Sequence, residues 1–232
     1  MALDSEGLGP KITIDKTAPI PYFYSKRCIK MDSGKYREQL IQLRQIILDG
    51  SAYFTIWRTL MVDNEDAAKS LNRFRGFFLP ARNSLLNMAL MQFAKVFDKH
   101  KSTVSLRNLI EAAESDPINL AKNAVEGELE NIKLNIASNE KLLEDLKTYR
   151  DKRLAHHDFI APSDTHLQYG KIRDLVKSTQ SAYNQLTKYF DSSITIFESL
   201  EKESERHTRE VIELMMEERA KIRNKPYLDN IF

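Results

Sequence analysis

A chain of 232 residues with 42% apolar and 29% charged side chains can bury a substantial core, as one large domain or two small ones. No uninterrupted apolar run reaches about 18 residues, which argues against a bilayer-crossing helix. A net charge of +2 is too even for a protein that grips a long nucleic acid by its backbone, so any phosphate contact should be local. The single cysteine, Cys28, forbids an internal disulfide. The opening Met1-Ala2-Leu3-Asp4-Ser5-Glu6 has neither a basic nor an apolar stretch, so a cytoplasmic protein is expected. No Cys pair or helically spaced His pair is present, and adjacent His156 and His157 do not chelate on one helix face, so zinc is not expected. With 7 Gly, 7 Pro and little strand-type alternation, composition favours an all-α protein with short connections.

Residues 1–33 read as an irregular arm, because Gly9-Pro10 and Pro19-Ile20-Pro21 bias the backbone away from helix. Its Ile12, Ile14, Ile20, Tyr22 and Phe23 suit a segment laid along a groove. Residues 34–223 read as one helical domain, and 224–232 as a tail that follows the last helix. Three- and four-residue apolar steps begin near Gly34 and continue through Leu40, Leu43, Ile47, Phe54 and Trp57 to Met61, with Gly50-Ser51 weakening the helix without ending it. Trp57 is expected in the core. Asn64-Glu65-Asp66 forms a turn and cap for a second helix, which Pro80 should kink or break.

Ala81 to Asp98 is the most apolar segment and belongs in the middle of a bundle. Its Ser84, Asn87, Lys95 and Asp98 fall within roughly a quarter-turn, at about 100° per residue. That polar stripe either faces solvent as a satisfied seam or lines a cleft with Asp98 at one end. Ser102-Thr103 and Ser105 can cap a short helix, Leu106 to Ala113, and Asp116-Pro117 opens another. The polar, Asn-rich residues 118–137, with a thin apolar seam, are expected at the periphery. A helix from Asn139 sets Leu142, Leu143, Leu146 and Tyr149 on one face. After a loop at Ala161-Pro162-Ser163-Asp164, a long helix is expected from about Lys171 to Ser199, and a last one from about Ser204 to Ile222. Its Met215 and Met216 fit a core or helix-docking stripe.

The chemistry concentrates in Tyr149-Arg150-Asp151-Lys152-Arg153-Leu154-Ala155-His156-His157-Asp158, which holds two of the five histidines. Imidazole takes and gives a proton near neutrality. Guanidinium offers a planar fork of donors suited to phosphate oxygens. Together they supply what cleavage of a phosphodiester without a metal needs, although mixed charges also commonly decorate helix ends. On an unbroken helix Arg150 and His156 point about 120° apart, whereas Arg150 and His157 are nearly aligned, and Arg153 and His157 share a face one turn apart. For Arg150 and His156 to address one phosphate, the helix must end or bend near 153–156, or two copies must meet. Spacing alone leaves all three pairings open.

The run Tyr-Arg-Asp-Lys-x-x-Ala-His-x-Asp follows an apolar helix ending Ala94-Lys95-Val96-Phe97-Asp98, itself preceded by the aromatic-rich helix with Trp57. This order, over roughly residues 50–200, resembles the HEPN superfamily and within it the AbiU-like abortive-infection type. Arg150, then a polar residue, then His156 matches the superfamily's loose Arg–His spacing. The resemblance implies an all-α, HEPN-like antiparallel helical bundle. It implies a metal-independent endoribonuclease, without cofactor, of phage defence or toxin type, acting as a homodimer whose two motifs meet across the interface. RNA would be the substrate and an antitoxin protein a further partner. His156 would serve as general base or acid, Arg150 would stabilise the phosphate charge, and Asp151 would hold one of them. His157, Lys152, Arg153, Asp158, Asp98 and Tyr149 would support or position substrate. Asp151 stands where Asn is commoner in the superfamily, and Asp158-Phe159 stands where some relatives carry a nucleotidylated Tyr. The alternative within the same fold is a catalytically inactive RNA- or protein-binding module.

Overall fold

The computed structural model describes residues 31–149 and 168–223. Among them it shows nine helices: α1 (Ser33–Thr59), α2 (Glu65–Arg73), α3 (Arg75–Val96), α4 (Leu106–Ser115), α5 (Pro117–Leu120), α6 (Glu128–Ala137), α7 (Glu140–Tyr149), α8 (Tyr169–Asp191) and α9 (Phe197–Arg223). The expected all-α bundle is what forms, with no strand among the described residues. Of the arm expected over residues 1–33, residues 1–30 fall outside them, as does the tail at 224–232, while Asp32 and Ser33 already cap and begin α1.

α1 is the axis of the bundle. Its 27 residues span about 40 Å, and Asp32 starts it by accepting a hydrogen bond from the Lys35 amide at 2.9 Å. Gly50 and Ser51 lie buried in mid-helix without interrupting it. At Gly50 the backbone comes so close to α3 that a β-carbon would sit 3.1 Å from the Phe93 ring. At its far end Met61 meets the Arg82 guanidinium, so α1 and α3 run antiparallel. α8 is also antiparallel to α1: Tyr169 stacks on Phe54, Gln180 donates to Ser51 and Phe190 meets Tyr36 edge-on. α9 returns beside α1, where Arg58 donates to Glu205 at 2.8 Å. A second hydrogen bond, from Arg209 on α9 itself, holds the Glu205 carboxyl below the usual carboxylate range, and the Arg58 charge adds to the effect.

Three apolar clusters fill the layers. The largest joins Tyr36, Leu43 and Ile47 of α1 to Leu106 and Leu109 of α4 and Leu186 and Phe190 of α8. A second joins Phe54, Leu90 and Phe93 to Leu142 and Leu146 of α7 and Ile172 and Leu175 of α8. The third closes one end of the bundle with Leu60, Leu71 and Ile212, against which Phe78, Met215 and Met216 pack.

Three sequence expectations need correction. The break before the apolar helix falls at Phe74, whose φ of −108° and ψ of 36° separate α2 from α3, and α3 continues through Pro80. Pro80 lies in the second turn of α3 and is exposed, so water can reach the backbone carbonyl that its ring leaves without a donor. The helix expected over 171–199 is two helices, because Ser192 adopts a left-handed φ of 64°. Side chains brace that reversal: Asp191 accepts from the Ser193 amide, Asn184 bonds both backbone groups of Thr195, and Thr187 donates to the Ser193 carbonyl at 2.9 Å. Finally, 118–137 is not peripheral throughout, since Leu120, Ile132 and Ile136 enter the largest cluster.

Candidate functional site

Residues 150–158, which carry Arg150, Asp151, Lys152, Arg153, His156, His157 and Asp158, lie outside the described residues, so the three pairings open at the sequence level stay open. The described structure fixes the two ends from which that segment is strung. At one end is Tyr149, half-buried on α7 and packed against the second cluster. Leu146 and Leu142, one and two turns earlier, anchor the same face of α7 in that cluster. The Tyr149 hydroxyl donates to Asn87 Oδ1 on α3 at 2.9 Å. The last residue of α7 is therefore tied to the middle of α3.

At the other end, Gln168 precedes α8, whose first residue, Tyr169, lies over Phe54 with ring centroids 5.7 Å apart and planes 20° apart. Trp57 completes the trio, 5.6 Å from Phe54 and 6.0 Å from Tyr169. Trp57 is half-buried rather than sealed in the core. Both anchors rest on the α1–α3 pair, through the same second cluster or the aromatic rings beside it. The sequence reading did not single out Tyr169; the signal for it was an aromatic residue within the first turn of a strongly periodic helix.

The polar stripe of α3 follows the α3–α7 seam. Ser84 and Lys95 are exposed, whereas Asn87 and Asp98 are half-buried. Asn87 is satisfied by Tyr149, as a seam residue should be. Asp98 Oδ1 accepts the His100 amide at 2.9 Å, just past the end of α3. Lys99, its neighbour, pairs with Glu140 in the first turn of α7 at 3.6 Å. Since α7 lies antiparallel to α3, Asp98 sits by the start of α7 and Tyr149 at the other end. The eleven helical steps from Asn87 to Asp98 correspond to about 16 Å along the axis. The structure thus joins Tyr149 to Asn87 and does not join either to Asp98. Among the described residues no group of three His, Cys, Asp or Glu side chains converges as metal ligands would. None of their helices is long and apolar enough to cross a membrane.

A model of the HEPN-type family AbiU2 matches residues 33–211, more than three-quarters of the chain. The chain belongs to the AbiU2 family of HEPN domains. The match begins at the first residue of α1 and runs into α9, so it takes in α7, the Arg–His segment and α8 together. The AbiU2 family connects the chain to abortive infection at the level of the domain. Neither the curated proteins nor the solved structures contain a match to it.

Proposed function

We propose that this chain is a metal-independent endoribonuclease of abortive infection or toxin type, working as a homodimer in the cytoplasm, with Arg150 and His156 as its catalytic pair. The observation that carries the reading is the run from Tyr149 to Asp158, with its Arg–His spacing, inside the residues that match AbiU2. Its support is chemical. His156 takes the proton of a ribose 2′-hydroxyl as that oxygen bonds to the adjacent phosphorus. The bond from phosphorus to the 5′-oxygen breaks, and the leaving oxygen receives a proton from imidazolium. The products are a 2′,3′-cyclic phosphate and a 5′-hydroxyl. Arg150 meets the charge that builds on the phosphate oxygens. Asp151 orients the guanidinium or the imidazole, while Lys152, Arg153, His157 and Asp158 hold the strand. Positioned proton transfer of this kind contributes about 100- to 10,000-fold.

The competing reading, an RNA- or protein-binding module without catalysis, rests on Asp151, a carboxylate that repels phosphate unless a neighbouring cation neutralises it. One experiment separates the two. Purified protein is incubated with mixed single-stranded RNA, with and without EDTA, beside Arg150→Ala, His156→Ala and His157→Ala. Cleavage that resists chelation, leaves cyclic phosphate ends and disappears in Arg150→Ala and His156→Ala is the expected result. Intact RNA with wild-type protein, or equal cutting by His156→Ala, removes the proposal.

A further inference from the structure

Between Asp66 and Asp98 the chain carries no Asp or Glu, yet it holds Lys69, Arg73, Arg75, Arg82 and Lys95. In a molecule whose net charge is only +2 this is a local excess of cations. Lys69 is neutralised by Glu65. Arg73 and Arg75 are exposed and have no ion-pair partner among the described residues, and Lys95 bonds only the neutral Gln92 amide. Two aromatic rings lie among them. Phe77 is 68% exposed and Phe74 51% exposed, although a ring of this size normally leaves water. Neither ring is loose: Phe77 stands edge-on to Phe78 at 5.1 Å, Phe78 is seated in the third cluster, and the Arg73 guanidinium lies 5.8 Å above the Phe74 ring.

Further along α3, Phe77, Ser84, Met88, Met91 and Lys95 fall within about 60° of one another, on the side away from the residues buried against α1. Phe77, Ser84, Met88 and Lys95 are exposed. This stripe runs about 27 Å and passes beside Asn87, where Tyr149 leads into the Arg–His segment. Two occupants have chemistry to consider. A second copy meeting this face about a two-fold axis would set Arg73, Arg75 and Lys95 against cations of their own kind. A single-stranded polyanion answers them directly, and its bases have faces to stack on exposed rings.

We propose that the α2–α3 junction and the exposed stripe of α3 form a second contact surface for single-stranded RNA, with bases stacking on Phe77 and Phe74 and phosphates meeting Arg73, Arg75 and Lys95. The assignment rests on the reading of this chain as a protein that acts on RNA, and it extends that reading from the scissile linkage to the flanking strand.

The test uses the full chain and a fluorescent 2′-O-methyl RNA oligonucleotide, which lacks the attacking hydroxyl and stays intact. Anisotropy titrations across a salt series compare the parent with Phe77→Ala and with Arg73→Gln/Arg75→Gln. Phe77→Ala should weaken binding about tenfold with the salt slope unchanged. The double variant should weaken binding and flatten the slope by about 1.4, as two single-strand phosphate contacts are lost. All three substitutions are at exposed side chains, and thermal melts beside the parent check that the fold is kept. Parental affinity in both variants overturns the proposal. So does a parental dimer that turns monomeric in Phe77→Ala by light scattering, since the face then serves a second copy. A parent that cleaves RNA while both variants bind normally removes this surface and leaves the nuclease reading standing. A parent that binds through these residues yet never cleaves does the reverse.

Discussion

The Tyr149 hydroxyl is one atom with consequences for both fold and site. It bonds Asn87 across two helices, directly before Arg150. Tyr149→Phe removes the bond and keeps the ring in the second cluster, so it should cost about 1 kcal/mol of stability. A double-mutant cycle with Asn87→Ala, read by urea unfolding, should show the two losses to be coupled rather than additive. RNA cleavage should fall with them, because the end of α7, which leads into the Arg–His segment, loses its tie to α3. Tyr36 presents the opposite case. It is fully buried, its hydroxyl has no hydrogen-bond partner among the described residues, and burial pushes its ionisation well above the ordinary phenol value of 10.0. Because the folded pKa is raised, the group's contribution is fully present below the unfolded value and is lost as pH climbs above about 10. Tyr36→Phe should therefore raise the urea midpoint at neutral pH by the equivalent of about 1 kcal/mol, and make unfolding less sensitive to pH between about 10 and 11. An unchanged or lower midpoint would mean that the hydroxyl is satisfied in solution.

Helices were legible wherever apolar spacing persisted and a polar cap preceded it. Ser105 caps α4 through the Asn108 amide and Asp116 caps α5 through the Asn119 amide, both as their sequence positions indicate. What the spacing could not show was a break made without glycine or proline. Ser192 reverses the chain between α8 and α9 through tertiary hydrogen bonds, including one from Asn123, far away in sequence, to its hydroxyl at 3.1 Å. Pro80 failed as a breaker for the converse reason, because its surroundings in α3 tolerate it. Gly50 shows how closely the central pair of helices is matched. Alanine normally gains about 1 kcal/mol over glycine inside a helix. Here the added β-carbon would stand 3.1 to 3.2 Å from Phe93 and Gln92, and Phe93 is fully buried with nowhere to retreat. Gly50→Ala should therefore destabilise by about 1–3 kcal/mol despite its better propensity. A raised melting temperature would show that α1 and α3 can separate slightly without cost.

At the scale of the whole molecule, the sequence showed which residue types gather after α7 but not which of them face one another. Arg150 and His156 are six apart, so whether they meet depends on the path of the backbone beyond Tyr149 and on any second subunit, neither of which spacing encodes. Subunit exchange reads that arrangement directly. Consider Arg150→Ala and His156→Ala, each inactive as a homodimer. When the two are unfolded together and refolded as a mixture, half of the dimers formed at random hold one of each. With Arg150 of one subunit serving His156 of the other, every mixed dimer has one site with both groups intact and one with neither. The mixture should then recover about a quarter of the parental cleavage rate. With both groups drawn from one subunit, no site in any dimer is complete and no activity returns. The composite homodimer predicts recovery, and its absence, with mixed dimers shown to have formed, would assign each site to a single chain.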